Sequence, residues 1–218
     1  MRDHIKQLPL RRLLIFGGVF WALVAAFIEL AEEIIEGETL LGDYIVLLWI
    51  RQLTKPELTD AMLIVTSTGG FVAVTIITVA GAFLLSHYRR KAKAVLLVVT
   101  VATLASMNLL LKLVFARPRP ELEPALVDVS TYAFPSGHAM LSSALAFTLV
   151  ALLWHSRWRW MIVVVAAIYV LAVGFSRLYL GVHYPSDIVA GWCISGAWVL
   201  LTLAVLRGRV LFTPKNNK

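Results

Sequence analysis

The chain has a single cysteine, Cys193, in 218 residues. No intrachain disulfide can form, and the thiol lies inside an apolar run, where we assign it no role. Charge is scarce too: Asp, Glu, Lys and Arg make up 15% of the residues against 60% hydrophobic ones, and the mean hydropathy is +0.82. That deficit excludes an ordinary water-soluble domain and points to an integral membrane protein. Acidic residues are the scarcer sign, 13 against 20 basic, giving a net charge of +7. The basic residues nevertheless fall in short groups between apolar runs rather than on one soluble face, which argues against a nucleic-acid partner. Internal repeats, low-complexity tracts and a second domain are all missing, so residues 1–218 read as one membrane-embedded domain. The N-terminal stretch starts basic, but no small-residue cleavage site follows its apolar run, and it reads as a retained first helix.

Long apolar runs are what the sequence has in quantity. Crossing a bilayer takes roughly 20 apolar helical residues. Six segments qualify: Leu13–Leu30, Ala61–Leu85, Ala94–Leu111, His138–Trp154, Trp160–Phe175 and Ile188–Leu206. The expected fold is therefore all-α, a bundle of six transmembrane helices with both termini on one side. Leu40–Leu53 is apolar but short and holds Asp43, Arg51 and Gln52, so it reads as an interfacial amphipathic helix between the first two spans.

Charge sorting supports this layout. Six spans put Arg2, Lys6, Arg11, Arg12, Arg89, Arg90, Lys91, Lys93, Arg157, Arg159, Arg207, Arg209, Lys215 and Lys218 on one side, with only Asp3 among the acidic residues. The positive-inside rule makes that side cytoplasmic. A seventh span at Leu40–Leu53 would move the Arg89–Lys93 cluster outside, and is rejected for that reason. Arg51, Lys55, Lys112, Arg117, Arg119 and Arg177 remain on the outer side against the bias, as do His138 and His183. His4, His87 and His155 sort to the cytoplasmic side as ordinary interfacial residues.

Four of those outer cations lie in two of three polar clusters. In KLVFARPRP, Lys112 to Pro120, two prolines stop the third span, and extended backbone lets Arg119 fold back toward Lys112. Such cations suit an anionic group, or else, with Arg117, snorkel to lipid head groups. The loop from Leu113 to Pro135, with Pro118, Pro120 and Pro124, is long for a compact bundle and favours a functional role. In the second cluster, Pro135 to His138, Ser136 can cap a helix, Gly137 leaves the backbone approachable, and the exposed N–H groups attract an anion. The bland alternative is a capped helix with an incidental histidine. In SRLYLGVHYPSD, Ser176 to Asp187, Pro185 belongs in a first helical turn, so Asp187 can reach one nitrogen of His183 and leave the other facing a substrate. The alternative for Asp187 is a carboxylate held by the helix dipole.

Taken together, Lys112-x6-Arg119-Pro120, Pro135-Ser136-Gly137-His138 and Ser176-Arg177-x5-His183-x3-Asp187 resemble the three-part signature of the type 2 phosphatidic acid phosphatase superfamily, in order and without substitution. In size and layout the chain resembles its bacterial membrane branch, which includes phosphatidylglycerophosphate and undecaprenyl pyrophosphate phosphatases. The resemblance implies that His183 attacks phosphorus to give a phosphohistidine, Asp187 orients it and His138 protonates the leaving alkoxide. It also implies that Lys112, Arg119, Ser136, Gly137 and Arg177 hold the phosphate oxygens, with no metal and no cofactor. A phosphate-bearing lipid is then the substrate and membrane lipids the surroundings: phosphatidylglycerophosphate first, undecaprenyl pyrophosphate second, phosphatidic acid also possible. The site would lie on the outer face of the cytoplasmic membrane.

Rivals of other classes fit less well. An anion or lipid transporter would spread its charges along a pathway and carry inverted repeats, and neither is found. The vanadate-dependent haloperoxidases that resemble this superfamily around the site are soluble. Around the clusters, Tyr132, Phe134, Tyr179 and Tyr184 read as interfacial anchors rather than lining of a lipid entrance. Glu29, Glu32, Glu33 and Glu36 share one helical face and read as a solvated helix end.

Overall fold

The computed structural model describes residues 10–36, 41–121, 126–127 and 129–210, and those residues contain helices and no strand. The helices are α1 (Leu10–Ile35), α2 (Leu41–Arg51), α3 (Pro56–Thr68), α4 (Phe71–His87), α5 (Lys91–Phe115), α6 (Gly137–Leu153), α7 (Arg159–Tyr179) and α8 (Pro185–Val210). Arg2, Lys6, Lys215, Lys218, His4, Leu40, Pro124 and the C-terminal tail lie outside the described residues, as do the side chains of Arg11, Arg12, Arg207 and Arg209.

Four helices among the described residues are long and apolar enough to cross a membrane, within α1, α5, α7 and α8. The expected second span, Ala61–Leu85, is not one helix: α3 and α4 meet at Gly69–Gly70 with a bend of 46°, and count as a fifth span only if taken together. Two adjacent glycines are the poorest non-proline helix formers, and nearby hydroxyls ease the break. Ser67 Oγ donates to Ile64 O (2.7 Å), Thr68 Oγ1 to Val65 O (2.7 Å) and Tyr169 OH to Thr68 O (2.9 Å). Carbonyls released by the bend thus keep partners, as an apolar surrounding requires. The fourth expected span is α6, 17 residues long.

α6 is the centre of the bundle, packed by α4, α5, α7 and α8. Small residues make this possible: Ala139, Ser142, Ser143, Ala144 and Ala146 are all buried on it. In lipid, where apolar burial alone does not drive helices together, such residues let backbones approach and gain dispersion contacts. The serine hydroxyls are satisfied locally, Ser143 Oγ donating to Ala139 O (2.6 Å), while Ser195 Oγ on α8 donates across to Met140 O (3.0 Å). Leu141 and Leu145 of α6 pack with Val74 of α4 and Leu96, Leu97 and Val101 of α5. Lys93 Nζ donates to Leu152 O (2.8 Å), so the α4–α5 turn and the end of α6 share one end of the bundle. The end of α5, the start of α6 and the α7–α8 turn meet at the other.

Candidate active site

Each of the three polar clusters is placed by a helix terminus. α5 runs through Lys112 to Phe115 and stops at Ala116, which is left-handed (φ 44°) and donates its N–H to Lys112 O (3.0 Å), just ahead of Pro118 and Pro120. Ser136 caps α6, accepting from Ala139 N (3.4 Å), and its own N–H donates to Asp187 O (3.1 Å), which joins the starts of α6 and α8. Gly137 is the first residue of α6, and a β-carbon there would stand 2.9 Å from Asn108 Oδ1. Asn108 in turn donates to Pro135 O (3.1 Å) and Met140 Sδ (3.0 Å), bracing the loop before α6. Gly181, at φ 72°, makes the turn after α7 that delivers His183.

The turn brings His183 and Asp187 together as spacing predicted. His183 is 1% exposed, and its Nδ1 lies 3.4 Å from Asp187 Oδ2. The same oxygen accepts Tyr184 N–H at 2.8 Å, closing the first turn of α8 as a capping box does. With Nδ1–H directed at the carboxylate, Nε2 carries the lone pair, and it faces Arg119 Nη1 at 3.2 Å. Burial first, then the charges of Arg177, Arg119 and Lys112 and the ring of His138, hold His183 well below the usual imidazole range. It is therefore a neutral imidazole near pH 7.

Three cations surround this ring. Arg119 reaches back over the loop, donating to Thr131 O (2.6 Å), Thr131 Oγ1 (3.0 Å), Tyr132 O (3.3 Å) and Val182 O. Lys112 Nζ donates to Tyr132 O. Arg177, buried on α7, donates from Nη1 to Thr66 Oγ1 of α3 (2.8 Å), and its Nε has no hydrogen-bond partner among the described residues. None of the three forms an ion pair with a carboxylate among the described residues. His138 is half-buried in the first turn of α6, against the α3–α4 break: a β-carbon on Gly70 would lie 3.4 Å from its Nε2. All eight residues expected at the site thus converge at one end of the bundle, from α5, the following loop, α6, α7 and the α7–α8 turn. Concentrated positive charge, a helix N-terminus and a neutral imidazole with an unprotonated nitrogen can bind a phosphoryl group and attack it. Among the described residues no three His, Cys, Asp or Glu side chains gather as a metal-ligand set.

Several expectations about the surroundings change. Arg117 does not snorkel; it is buried between two carboxylates, Nη1 on Asp187 Oδ1 (2.6 Å) and Nη2 on Asp43 Oδ2 (3.0 Å). Tyr184 is no membrane anchor, for its ring lies under Arg117 at 4.0 Å, and burial pushes its phenol up to about 12. Tyr179 is buried, its hydroxyl bonded to Lys55 N (3.0 Å) and Thr59 Oγ1 (3.1 Å), and Phe134 is buried beside Phe27 and Phe115. Tyr132 alone of the four is exposed, 44%. The sequence reading also passed over Asn108 and Thr66, although an asparagine within an apolar span is a signal in its own right. Glu29, Glu32 and Glu36 are exposed, as a solvated helix end requires, while Glu33 is half-buried.

Comparison with known proteins places this geometry in context. Residues 91–210 match the PAP2 superfamily. The chain is 30% identical over 190 residues to the undecaprenyl-diphosphatase of Sulfolobus acidocaldarius, covering 83% of this chain and 87% of that one. It is 32% identical over 149 residues to phosphatidylglycerophosphatase B of Bacillus subtilis, covering 64% and 71%. The crystal structure of a transmembrane PAP2 type phosphatidylglycerolphosphate phosphatase from Bacillus subtilis superposes with a TM-score of 0.75 at 26% identity, over 91% of this chain and 98% of that one. Aquifex aeolicus LpxE shares the fold, with a TM-score of 0.65 at 22% identity over 77% and 98%.

Proposed function

The chain belongs to the PAP2 superfamily, and from that premise we propose that it removes phosphate from a membrane lipid through a phosphohistidine formed on His183. The observation that carries this reading is the set of three cations, Lys112, Arg119 and Arg177, with no carboxylate partner among the described residues, around a neutral buried histidine. Nε2 of His183 forms a bond to phosphorus as the lipid P–O bond breaks, and His138, whose protonated form is favoured once the phosphate dianion sits among the cations, gives its proton to the departing alkoxide. Asp187 holds the Nδ1 proton and stabilises the charge that develops on the ring. The three cations, the Ser136 hydroxyl and the Gly137 N–H bind the phosphoryl oxygens, which gather charge in the transition state. Water then breaks the P–N bond, with His138 as base, releasing inorganic phosphate and restoring both imidazoles. Positioning and charge come from the chain itself, so the reaction runs without a metal.

Residues 1–218 form one six-span domain: α1, the α3–α4 pair, α5, α6, α7 and α8, with α2 lying along the interface and its Ile45, Leu48 and Trp49 exposed. Both termini are cytoplasmic. The Lys93–Leu152 bond supports this orientation, since it groups the basic α4–α5 and α6–α7 turns at the end away from the site. The site then opens on the outer face of the cytoplasmic membrane, where a head group can enter while its tail stays in lipid.

Phosphatidylglycerophosphate, yielding phosphatidylglycerol, is the proposed substrate, supported by the structural likeness to the Bacillus subtilis enzyme. Undecaprenyl pyrophosphate is the second reading, favoured by the extent of similarity to the Sulfolobus acidocaldarius protein. Measuring kcat/KM for both lipids and for phosphatidic acid, in one detergent and in excess EDTA, decides between them. Higher kcat/KM for the pyrophosphate overturns the first choice, and loss of all turnover on chelation overturns the metal-free mechanism.

A further inference from the structure

Asp187 is held on one oxygen by His183 and Tyr184 and on the other by Arg117, which lies in the spacer of the first motif and is not one of its signature residues. We propose that the buried Asp43–Arg117 pair positions the Asp187 carboxylate, and through it His183, making α2 part of the catalytic apparatus. The proposal rests on the phosphoryl-transfer reading of the site. Arg117 Nη1 donates to Asp187 Oδ1 (2.6 Å) and Ser186 Oγ (2.8 Å), and Nη2 donates to Asp43 Oδ2 (3.0 Å). Asp43 in turn accepts Ser186 N–H on Oδ1 (2.9 Å) and the Ser186 hydroxyl on Oδ2. All four residues are buried, so each charge depends on its partners rather than on water.

This geometry does work that the motif residues cannot do alone. At 3.4 Å the His183–Asp187 contact is long, and one long bond does not fix the rotation of a carboxylate. Arg117 on Oδ1 and Tyr184 N–H on Oδ2 fix its plane from both sides. Asp187 also lies within electrostatic reach of Arg119 and Lys112. Without Arg117 these phosphate-facing cations are its remaining counter-ions, and a carboxylate drawn to them turns away from His183 Nδ1. Arg117 keeps Asp187 occupied and leaves Lys112, Arg119 and Arg177 for the substrate. Asp43 holds Arg117 in that role and at the same time caps the start of α8 from another helix.

The test uses the full-length protein in detergent with phosphatidylglycerophosphate. R117Q should lower kcat by about 10- to 100-fold, the usual cost of losing a partner that orients a reacting group. KM and the inhibition constant for inorganic phosphate should rise by a smaller factor than kcat falls, because Arg117 itself does not touch the phosphoryl group and only an Asp187 drawn to Lys112 and Arg119 competes with it. R117K should recover part of the loss, D43N should lower kcat less than R117Q, and D43N/R117Q should be no slower than R117Q alone. Wild-type kcat in R117Q, or a loss expressed mainly in KM, overturns the proposal. If R117Q does not accumulate, D43N and R117K decide, and wild-type kcat in D43N overturns it. A wild-type protein that releases no phosphate, or an equally active His183→Ala, instead strikes the phosphatase reading beneath it.

Discussion

At the scale of single residues, the site sets a buried neutral base among cations, and this fixes how activity depends on pH. His183 is held below its ordinary value of about 6.5 by burial and by Arg177 on α7, Arg119 on the loop and Lys112 on α5, with His138 on α6 beside it, and its Nδ1 lies 3.4 Å from Asp187 on α8. The imidazole proposed as nucleophile therefore stays unprotonated at pH values where an ordinary histidine would be protonated. The acid limb of kcat/KM assigned to this group is expected below pH 6.5, and Arg119→Gln, which removes one cation, should move it upward. A pH–rate profile of the two proteins checks this. A depressed imidazole pKa also leaves folding stability undiminished above the unfolded value of about 6.5 and lowers it as pH falls from there toward the folded value, because in that window the unfolded chain binds the extra proton. His183→Ala and His138→Ala should each lower kcat by about 10⁴-fold or more, as removal of a member of a reacting pair does. Near-normal phosphate release in either variant removes its assigned role.

Among the elements, helix ends carry the proposed site residues and helix contacts hold them in place. The start of α6 is fixed by Ser136 bonding to Asp187 O and by Asn108 bracing Pro135 O from α5. A side chain at Gly137 cannot be added without moving that amide, whose Oδ1 would lie 2.9 Å from the new β-carbon. Gly137→Ala is expected to lower kcat/KM at least about tenfold, since a shift near 1 Å at a phosphate-binding backbone costs more than its stability effect. Steady-state kinetics paired with a thermal melt separate the two. Thr66→Val deprives Arg177 Nη1 of its 2.8 Å acceptor, so a buried guanidinium loses a fixed direction. The expected outcome is a raised KM with kcat less affected, measured on the same lipid.

On the scale of the whole molecule, the bundle separates the basic α4–α5 and α6–α7 turns from the end that holds the proposed site. Cysteines introduced at Ser130, exposed in the loop before α6, and at Arg157, exposed in the α6–α7 turn, should report opposite sides of the membrane. In intact cells a membrane-impermeant maleimide should label the first and not the second. The reverse pattern overturns the proposed orientation. Cys193 is buried and contributes little background.

How much of this was legible in the chain follows from which interactions are local. Apolar run length and charge placement were enough to anticipate an all-helical membrane protein, because a bilayer demands long helices and sorts charge across itself. The capping of α6 by Ser136 and the i, i+4 meeting of His183 with Asp187 were legible too, since both are settled within one helical turn. The break at Gly69–Gly70 was missed because a hydropathy count sums across two glycines. Only the tertiary structure brought Asp43 of α2 to Arg117, Thr66 of α3 to Arg177 and Asn108 of α5 to Pro135, across separations of 74, 111 and 27 residues. Such partners are chosen by the packing of whole helices, and no spacing within the chain records them. The sequence by itself determined which polar groups are available to the proposed site; the folded bundle decided what holds those groups still.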